Sequence, residues 1–252
     1  MAGGGFDQVV RTHVGCRRRL NEDAVLASPE RRLWAVADGM GGHEAGEVAS
    51  AMVVEALSQC PDGAEAALAA LTEVNARLIE MGRTGGDSRT IGSTVVGLVA
   101  NSTRFTCFWA GDSRAYRLRD GKLTRLTRDH SLVQELVDGG MISEAEAETH
   151  PNANIITRAV GVSEELQVDT VSGDVSIGDL FLLASDGLTR LVSDDELSAE
   201  LRNGDIESMA DSLLRLVLDR EAPDNVSLIL LRATDLPAAT AHTILKHGLQ
   251  SQ

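Results

Sequence analysis

The sequence predicts an α+β domain in which antiparallel sheets are covered on one side by another sheet and on the other by helices. Three observations predict it. Two stretches in the first third carry helical periodicity, short apolar runs separated by turn residues follow them, and several of those runs are apolar on both faces. A strand that is apolar on both faces needs cover on both. No Pro-rich or Gly/Ser linker divides the chain, so residues 1–252 read as one layered domain.

The elements follow in order. The run LWAVA (33–37) is a strand, and a helix from Glu44 to Leu57 follows the glycine-rich loop after it. A second helix spans about Ala64 to Met81, with Leu68, Leu71, Val74, Leu78 and Met81 on one face and Gly82 at the C-terminal cap. GSTVVGLVA (92–100), RFTCFWA (104–110), SRAYRLRD (113–120) and KLTRLT (122–127) read as consecutive antiparallel hairpins. Residues 130–160 are polar, hold two short helical pieces, and offer Ser143 and Glu146 as a capping box. This segment reads equally as a mobile surface flap or as an ordinary helical insertion. A strand at 179–185, a helix starting near Ser193 with Glu196 as capping partner, a helix over 206–220 and a strand at 226–231 complete the pattern. The tail from Thr234 reads as peripheral.

Composition narrows the function classes. Lys and Arg total 23 against 38 Asp and Glu, a formal net charge of -15. Such a surface repels nucleic acid and anionic lipid and suits a protein that collects cations, although acidity also simply aids solubility. Cys16, Cys60 and Cys107 share no close spacing, which fits a reducing compartment rather than a disulfide framework or zinc knuckle. MAGGGFDQVV lacks signal-peptide features, and no apolar run approaches the ~20 residues that cross a bilayer. The expectation is a soluble, cytoplasmic protein with no membrane association.

The chemistry is carried by acids at strand ends. LWAVA leads into Asp38-Gly39, LFLLAS into Asp186-Gly187 and FTCFWAG into Asp112, while VSLILL begins directly after Asp224-Asn225. A single Asp-Gly after a strand is usually a turn. Here AVADGM and LASDGL are near copies far apart in the chain, and strand ends that meet at one rim would bring their acids together. Converged carboxylates repel unless a cation sits between them, because an unpaired buried ion costs several kcal/mol as an order of magnitude. Oxygen donors without His or Cys select hard cations, Mg²⁺ or Mn²⁺. DGMGGHEAG (38–46) has Glu44 where a dinucleotide fingerprint needs its third glycine, and it lacks the Lys-Ser/Thr of a P-loop. The loop is read as holding a cation, with the Gly39 carbonyl free to turn toward a metal on Asp38.

These residues together resemble the metal-dependent serine/threonine protein phosphatases, the PPM or type 2C family, in its bacterial form. The matching motifs are RRLNEDA (18–24), VADGMGGHEAGEVAS (36–50), GST (92–94), AGDSRAY (110–116), RDHSLV (128–133), ITRAVG (156–161), LASDGL (183–188) and DNVSLILL (224–231). The resemblance implies a four-layer α-β-β-α sandwich with metals at one edge. It implies that Asp38 bridges two core Mg²⁺ or Mn²⁺ ions, that Gly39 offers a backbone carbonyl, and that Asp186 and Asp224 are further ligands. Asp112, sharing Asp186, would hold a third and weaker ion. Glu22 and Asp23, with Asn225 beside Asp224, would support the metal-bound water and the ligands, and Arg18 would clamp the substrate phosphate with its planar fork. Arg17, Arg18 and Arg19 also read as a solvated basic run; spacing to Asn21-Glu22-Asp23 selects Arg18.

One departure concerns the leaving group. Some relatives carry a histidine directly after the DG pair, as a proposed general acid; here that position is Met40. His43, three residues later, could substitute as the acid but reads rather as a structural or surface residue, and His130, inside DHS, reads as structural. The expected activity is hydrolysis of phosphoserine and phosphothreonine in proteins, by a monomer that opposes a bacterial serine/threonine kinase and acts on its targets. The alternatives are a catalytically idle phosphoprotein-binding module and a two-metal hydrolase of small phosphoesters. One Tyr and two Trp disfavour stacking on polymeric nucleic acid.

Overall fold

Alternation at a period of two sorts the side chains of the central strands between separate cores. In β3 (Leu33–Met40), Leu33, Ala35 and Ala37 face one buried cluster while Trp34 and Val36 face another. In β6 (Arg104–Ala110), Phe108 and Ala110 join the first cluster and Phe105, Cys107 and Trp109 the second. Strands β10 (Leu180–Ala184) and β11 (Val226–Ala233) send Phe181, Leu183, Ile229 and Leu231 into that second cluster, and Leu182, Leu228 and Leu230 into a third. The second cluster is therefore the layer between two sheets, and the first and third lie beneath helices.

The computed structural model describes residues 5–41, 45–84, 90–101, 103–148, 150–202 and 204–234. The expectations for His43, for Glu44 as a helix start and for the tail beyond residue 234 fall outside them. One sheet has the order β1 (Phe6–His13), β11, β10, β7 (Arg114–Arg119), β8 (Lys122–Arg125). The other has the order β2 (Asp23–Ser28), β3, β5 (Val95–Ala100), β6, β9 (Asp169–Asp174), with β4 (Gly92–Ser93) paired to β3. The pairings are antiparallel. Helices α1 (Ala45–Gln59) and α2 (Ala64–Thr84) bury Ala49, Val53, Leu57, Leu71, Val74 and Leu78 against the second sheet. On the first sheet lie α5 (Asp186–Thr189), α6 (Asp194–Glu200) and α7 (Ile206–Asp219), which place Leu188, Leu197, Met209, Leu213 and Val217 in the third cluster. The architecture is the α-β-β-α sandwich, an α+β fold with two antiparallel sheets flanked by helices. Between the sheets, the Trp34 indole N–H donates to Gln8 Oε1 at 2.5 Å, so the largest buried side chain keeps its polar atom satisfied.

Several local expectations need correction. Gly82 does not cap α2; it lies inside the helix on the buried face that Ala67, Leu71, Val74 and Leu78 define. Met81, one position earlier, falls off that face and is exposed. GSTVVGLVA breaks at Thr94, whose hydroxyl accepts from Asp38 N and bonds Ser113 Oγ. The strands from 92 to 127 are not one meander either: β5 pairs with β6 and β7 with β8, but β6 and β7 belong to different sheets. The chain changes sheets at Gly111–Ser113. Gly111 has φ 122, and a Cβ there would stand 2.6 Å from Thr94, so the crossover requires glycine.

Within 130–160, α3 (Leu132–Asp138) and α4 (Glu144–Glu148) are the two short helices, and Ser143 and Glu146 exchange the bonds of a capping box. Ser193 and Glu196 do the same for α6. Among the described residues, no helix is long and apolar enough to cross a membrane.

Gly97 pairs across the strands with Phe108, and a Cβ at Gly97 would stand 2.1 Å from the fully buried Phe108 ring. Gly97→Ala is expected to destabilise the fold by roughly 1–3 kcal/mol through overpacking, read as a lowered urea midpoint with an unchanged slope.

Candidate active site

The antiparallel register of β2 and β3 sets Asp23 opposite Asp38. Asp38 is fixed through its backbone: its N–H donates to Thr94 Oγ1 at 3.1 Å, and its carbonyl accepts from Thr94 N at 2.8 Å and Ser93 Oγ at 3.0 Å. Asp112 sits in the crossover between the sheets. Asp186 opens α5 with one residue between it and β10, and Asp224 precedes β11 with one residue between. All five carboxylates lie close enough for Asp38 to feel the charge of each of the other four.

The two Asp-Gly pairs are not turns of the usual kind. Asp38-Gly39 lies within β3, and Asp186-Gly187 is the first turn of a helix. Neither glycine has a positive φ. A Cβ on Gly39 would stand 2.0 Å from the Gly46 carbonyl oxygen, and one on Gly187 would stand 1.9 Å from that of Asn225. Each glycine therefore lets a neighbouring backbone come close: the first turn of α1 in one case, the start of β11 in the other. Gly46 serves the same approach from its own side, where a Cβ would meet Glu22 Oε1 at 2.4 Å.

A polar frame holds the acids. Ser185 donates to Asp23 Oδ2 at 2.9 Å and accepts from Ser227 N at 2.9 Å, which ties β2 to the first sheet. Asn225 accepts from Glu22 N at 2.8 Å and donates to the carbonyls of Val14 and Leu20 at 2.9 Å each, fastening the loop that carries Arg18. Two arginines face the acids. Arg18 Nη2 lies 2.8 Å from Asp224 Oδ2; Arg190 lies 2.7 Å from Asp186 Oδ2 and 2.9 Å from Asp112 Oδ2.

Burial dominates the electrostatics. It raises Asp23 to about 6 and Asp112 to about 7, Asp112 against the opposing pull of Arg190. Asp38 is pushed well above the usual carboxylate range by burial and then by Asp186, and Asp186 is raised by burial although Arg190 opposes it. Asp23 Oδ1 and Asp112 Oδ1 are buried without a hydrogen-bond partner. Orphaned acid oxygens amid hard oxygen donors are what a small divalent cation would satisfy. Among the described residues, no three acid, His or Cys side chains already close on one point as a metal cage; the arginines engage Asp112, Asp186 and Asp224.

Arg190 is a site residue that the sequence motifs do not single out. Its signal was present: Arg190 stands four residues after Asp186, the spacing that stacks side chains along a helix. His130 has a structural environment. Gly111 N donates to its Nδ1 at 3.2 Å, so the proton is on Nε2, which faces Asp169 Oδ2 at 3.1 Å, and the ring stacks on Trp109.

Fold and acid cluster together define a sandwich of the metal-dependent phosphatase class. The sequence profile of protein phosphatase 2C matches residues 16–227. The serine/threonine protein phosphatase PstP of Mycobacterium tuberculosis is 36% identical over 244 residues, covering 93% of this chain. The chain spans 46% of that relative's length. Among solved structures, PppA, described as a key regulatory component of T6SS in Pseudomonas aeruginosa, superposes with a TM-score of 0.83 at 43% identity, covering 90% of this chain and 97% of its own. The catalytic domain of PstP in complex with two manganese ions gives a TM-score of 0.82 at 35% identity, over 92% and 99% of the two chains. The chain belongs to the protein phosphatase 2C family.

Burial lowers the His130 pKa from 6.5, outweighing the Asp169 contact. The folded state thus resists a proton that the unfolded chain accepts, so this contribution to stability is present above pH 6.5 and is lost on acidification. The stability advantage of the wild type over His130→Gln is expected to shrink between about pH 7 and about pH 5, read from urea midpoints at each pH.

Proposed function

We propose that this chain hydrolyses phosphoserine and phosphothreonine in proteins, with Mg²⁺ or Mn²⁺ held by Asp38, Asp186 and Asp224. The gathering of five acids where the two sheets meet, four of them raised by burial, carries this reading. It is supported by family membership and by the two manganese ions in the related catalytic domain. Bound there, two divalent ions would supply a water acidic enough to attack phosphorus near neutral pH, and positive charge for the phosphoryl oxygens.

The chain's own residues do the rest. Asp38, on β3, with the Gly39 carbonyl, Asp186 and Asp224, would hold the two core ions, and Asp112 with Asp186 would hold a third. Glu22 and Asp23 would orient the metal-bound water. Asn225 sets the position of Glu22 and of the Arg18 loop through its three bonds. Arg18 receives the substrate phosphate. Its pairing with Asp224 joins two side chains that are 49% and 38% exposed, a contact weak enough to be exchanged for a phosphate. The segment 130–160 acts as a flap on a single phosphatase domain. The protein works as a monomer in the cytoplasm, where its three free cysteines stay reduced, and reverses a serine/threonine kinase in signalling.

A phosphothreonine peptide is expected to be hydrolysed in Mn²⁺, with activity lost in EDTA. Asp186→Ala should lower kcat by about 10³-fold or more. Full turnover in EDTA would defeat the metal reading, and tight peptide binding without turnover in Mn²⁺ would point to an idle binding module. Arg18→Ala should raise KM roughly tenfold with a smaller change in kcat; an unchanged KM removes Arg18 from the phosphate site.

A further inference from the structure

Arg190 follows Asp186 by one helical turn and closes on two acids at once. Its Nε lies 2.7 Å from Asp186 Oδ2 and its Nη2 lies 2.9 Å from Asp112 Oδ2. The acids come from separate places, one from the start of α5 and the other from the crossover between the sheets. A single positive charge therefore serves two negative ones, and it serves them incompletely, because Asp112 Oδ1 is buried with no partner. The Arg190 side chain is partly open to solvent, 33% exposed against 6% for that of Asp112. The same Nη2 lies 3.5 Å from the carbonyl of Ala153, at the edge of hydrogen-bonding reach, in the segment that follows α4.

We propose that Arg190 is a built-in counter-cation that competes with a divalent metal ion for Asp112 and Asp186, and so sets how weakly this side of the acid cluster binds its ion. The inference rests on the proposed reading of the cluster as a divalent-ion site. A guanidinium and a divalent cation cannot both occupy the space between the Oδ2 atoms, because like charges a few ångströms apart repel strongly in a buried site. For the ion to enter, Arg190 must give up its charge-assisted hydrogen bond to Asp112 and its ion pair with Asp186 and turn outward, and that cost is subtracted from the ion's affinity. The outward turn also breaks the reach to Ala153, so ion occupancy is coupled to the 150–154 segment. Arg190 is a positioning residue in this account.

Calorimetric titration of Mn²⁺ into EDTA-stripped and desalted wild type, Arg190→Met and Arg190→Lys tests this, together with thermal melts in EDTA and in Mn²⁺. Arg190→Met is expected to bind its weakest Mn²⁺ on the order of tenfold or more tighter than the wild type. It should melt lower than the wild type in EDTA and recover in Mn²⁺, where the ion replaces the lost charge. Arg190→Lys, which keeps the charge without the fork, should fall between them, and it supplies the comparison if the Met variant does not fold without metal. A weakest-site affinity no tighter than that of the wild type, or an equal loss of melting temperature in both buffers, overturns the inference and leaves Arg190 a plain structural ion pair. Absence of any Mn²⁺ uptake by the wild type would instead fell the metal reading beneath it.

Discussion

Five carboxylates drawn together, four of them buried and one at the rim, and the positive charge that makes their company tolerable, are the constraint around which this molecule is arranged. The strands deliver the acids. Asp23 and Asp38 face one another across β2 and β3, Asp186 and Asp224 flank β10 and β11, and Asp112 occupies the passage between the sheets. Burial raises four of these acids, so each resists losing its proton until a cation compensates it. Within the chain, Arg18 and Arg190 supply that compensation, at the exposed rim and in the half-buried interior respectively. A fold that spends its strand ends this way trades stability for a place where hard cations bind.

The scaffold makes the arrangement affordable by removing side chains where backbones must converge. Gly39 and Gly46 let the first turn of α1 rest against β3; Gly187 lets α5 rest against Asn225; Gly111 lets the chain leave one sheet for the other beside Thr94. Hydroxyls and amides then lock the acids' surroundings. Thr94 joins Asp38 to Ser113, Ser185 joins Asp23 to Ser227, and Asn225 joins the Arg18 loop to β11. Each of these bonds crosses between elements remote in sequence, so the site and the two-sheet packing form or fail together.

Much of the interior was legible along the chain, and the omissions share a physical cause. Central strands such as LFLL and VSLILL are apolar on both faces because they are covered on both, and they announce themselves. The strands that escaped notice, β1, β2 and β9, are all at sheet edges. DTVSGD and FDQVVRTH carry polar side chains where one side meets solvent, so their pairing is set by the neighbour rather than by their own pattern. Among the site residues, Asp38, Asp112, Asp186 and Asp224 were visible through their position at the ends of apolar runs, whereas Asp23 came only through the family resemblance. Arg190 was overlooked because a basic residue on a short helix resembles any solvated one until its two partners are seen.

The sequence by itself determined the layered α+β class, the helical and strand periods, the capping boxes at Ser143 and Ser193, and the acids at the ends of the apolar runs, because all of these are local patterns of residue type. Only the tertiary structure decided that β6 and β7 part company into different sheets, that Gly82 sits inside α2, and that the Asp-Gly pairs serve close backbone approach rather than turns. It also decided that one arginine spans Asp112 and Asp186. These depend on which surfaces meet, and distance along the chain says nothing of distance in space.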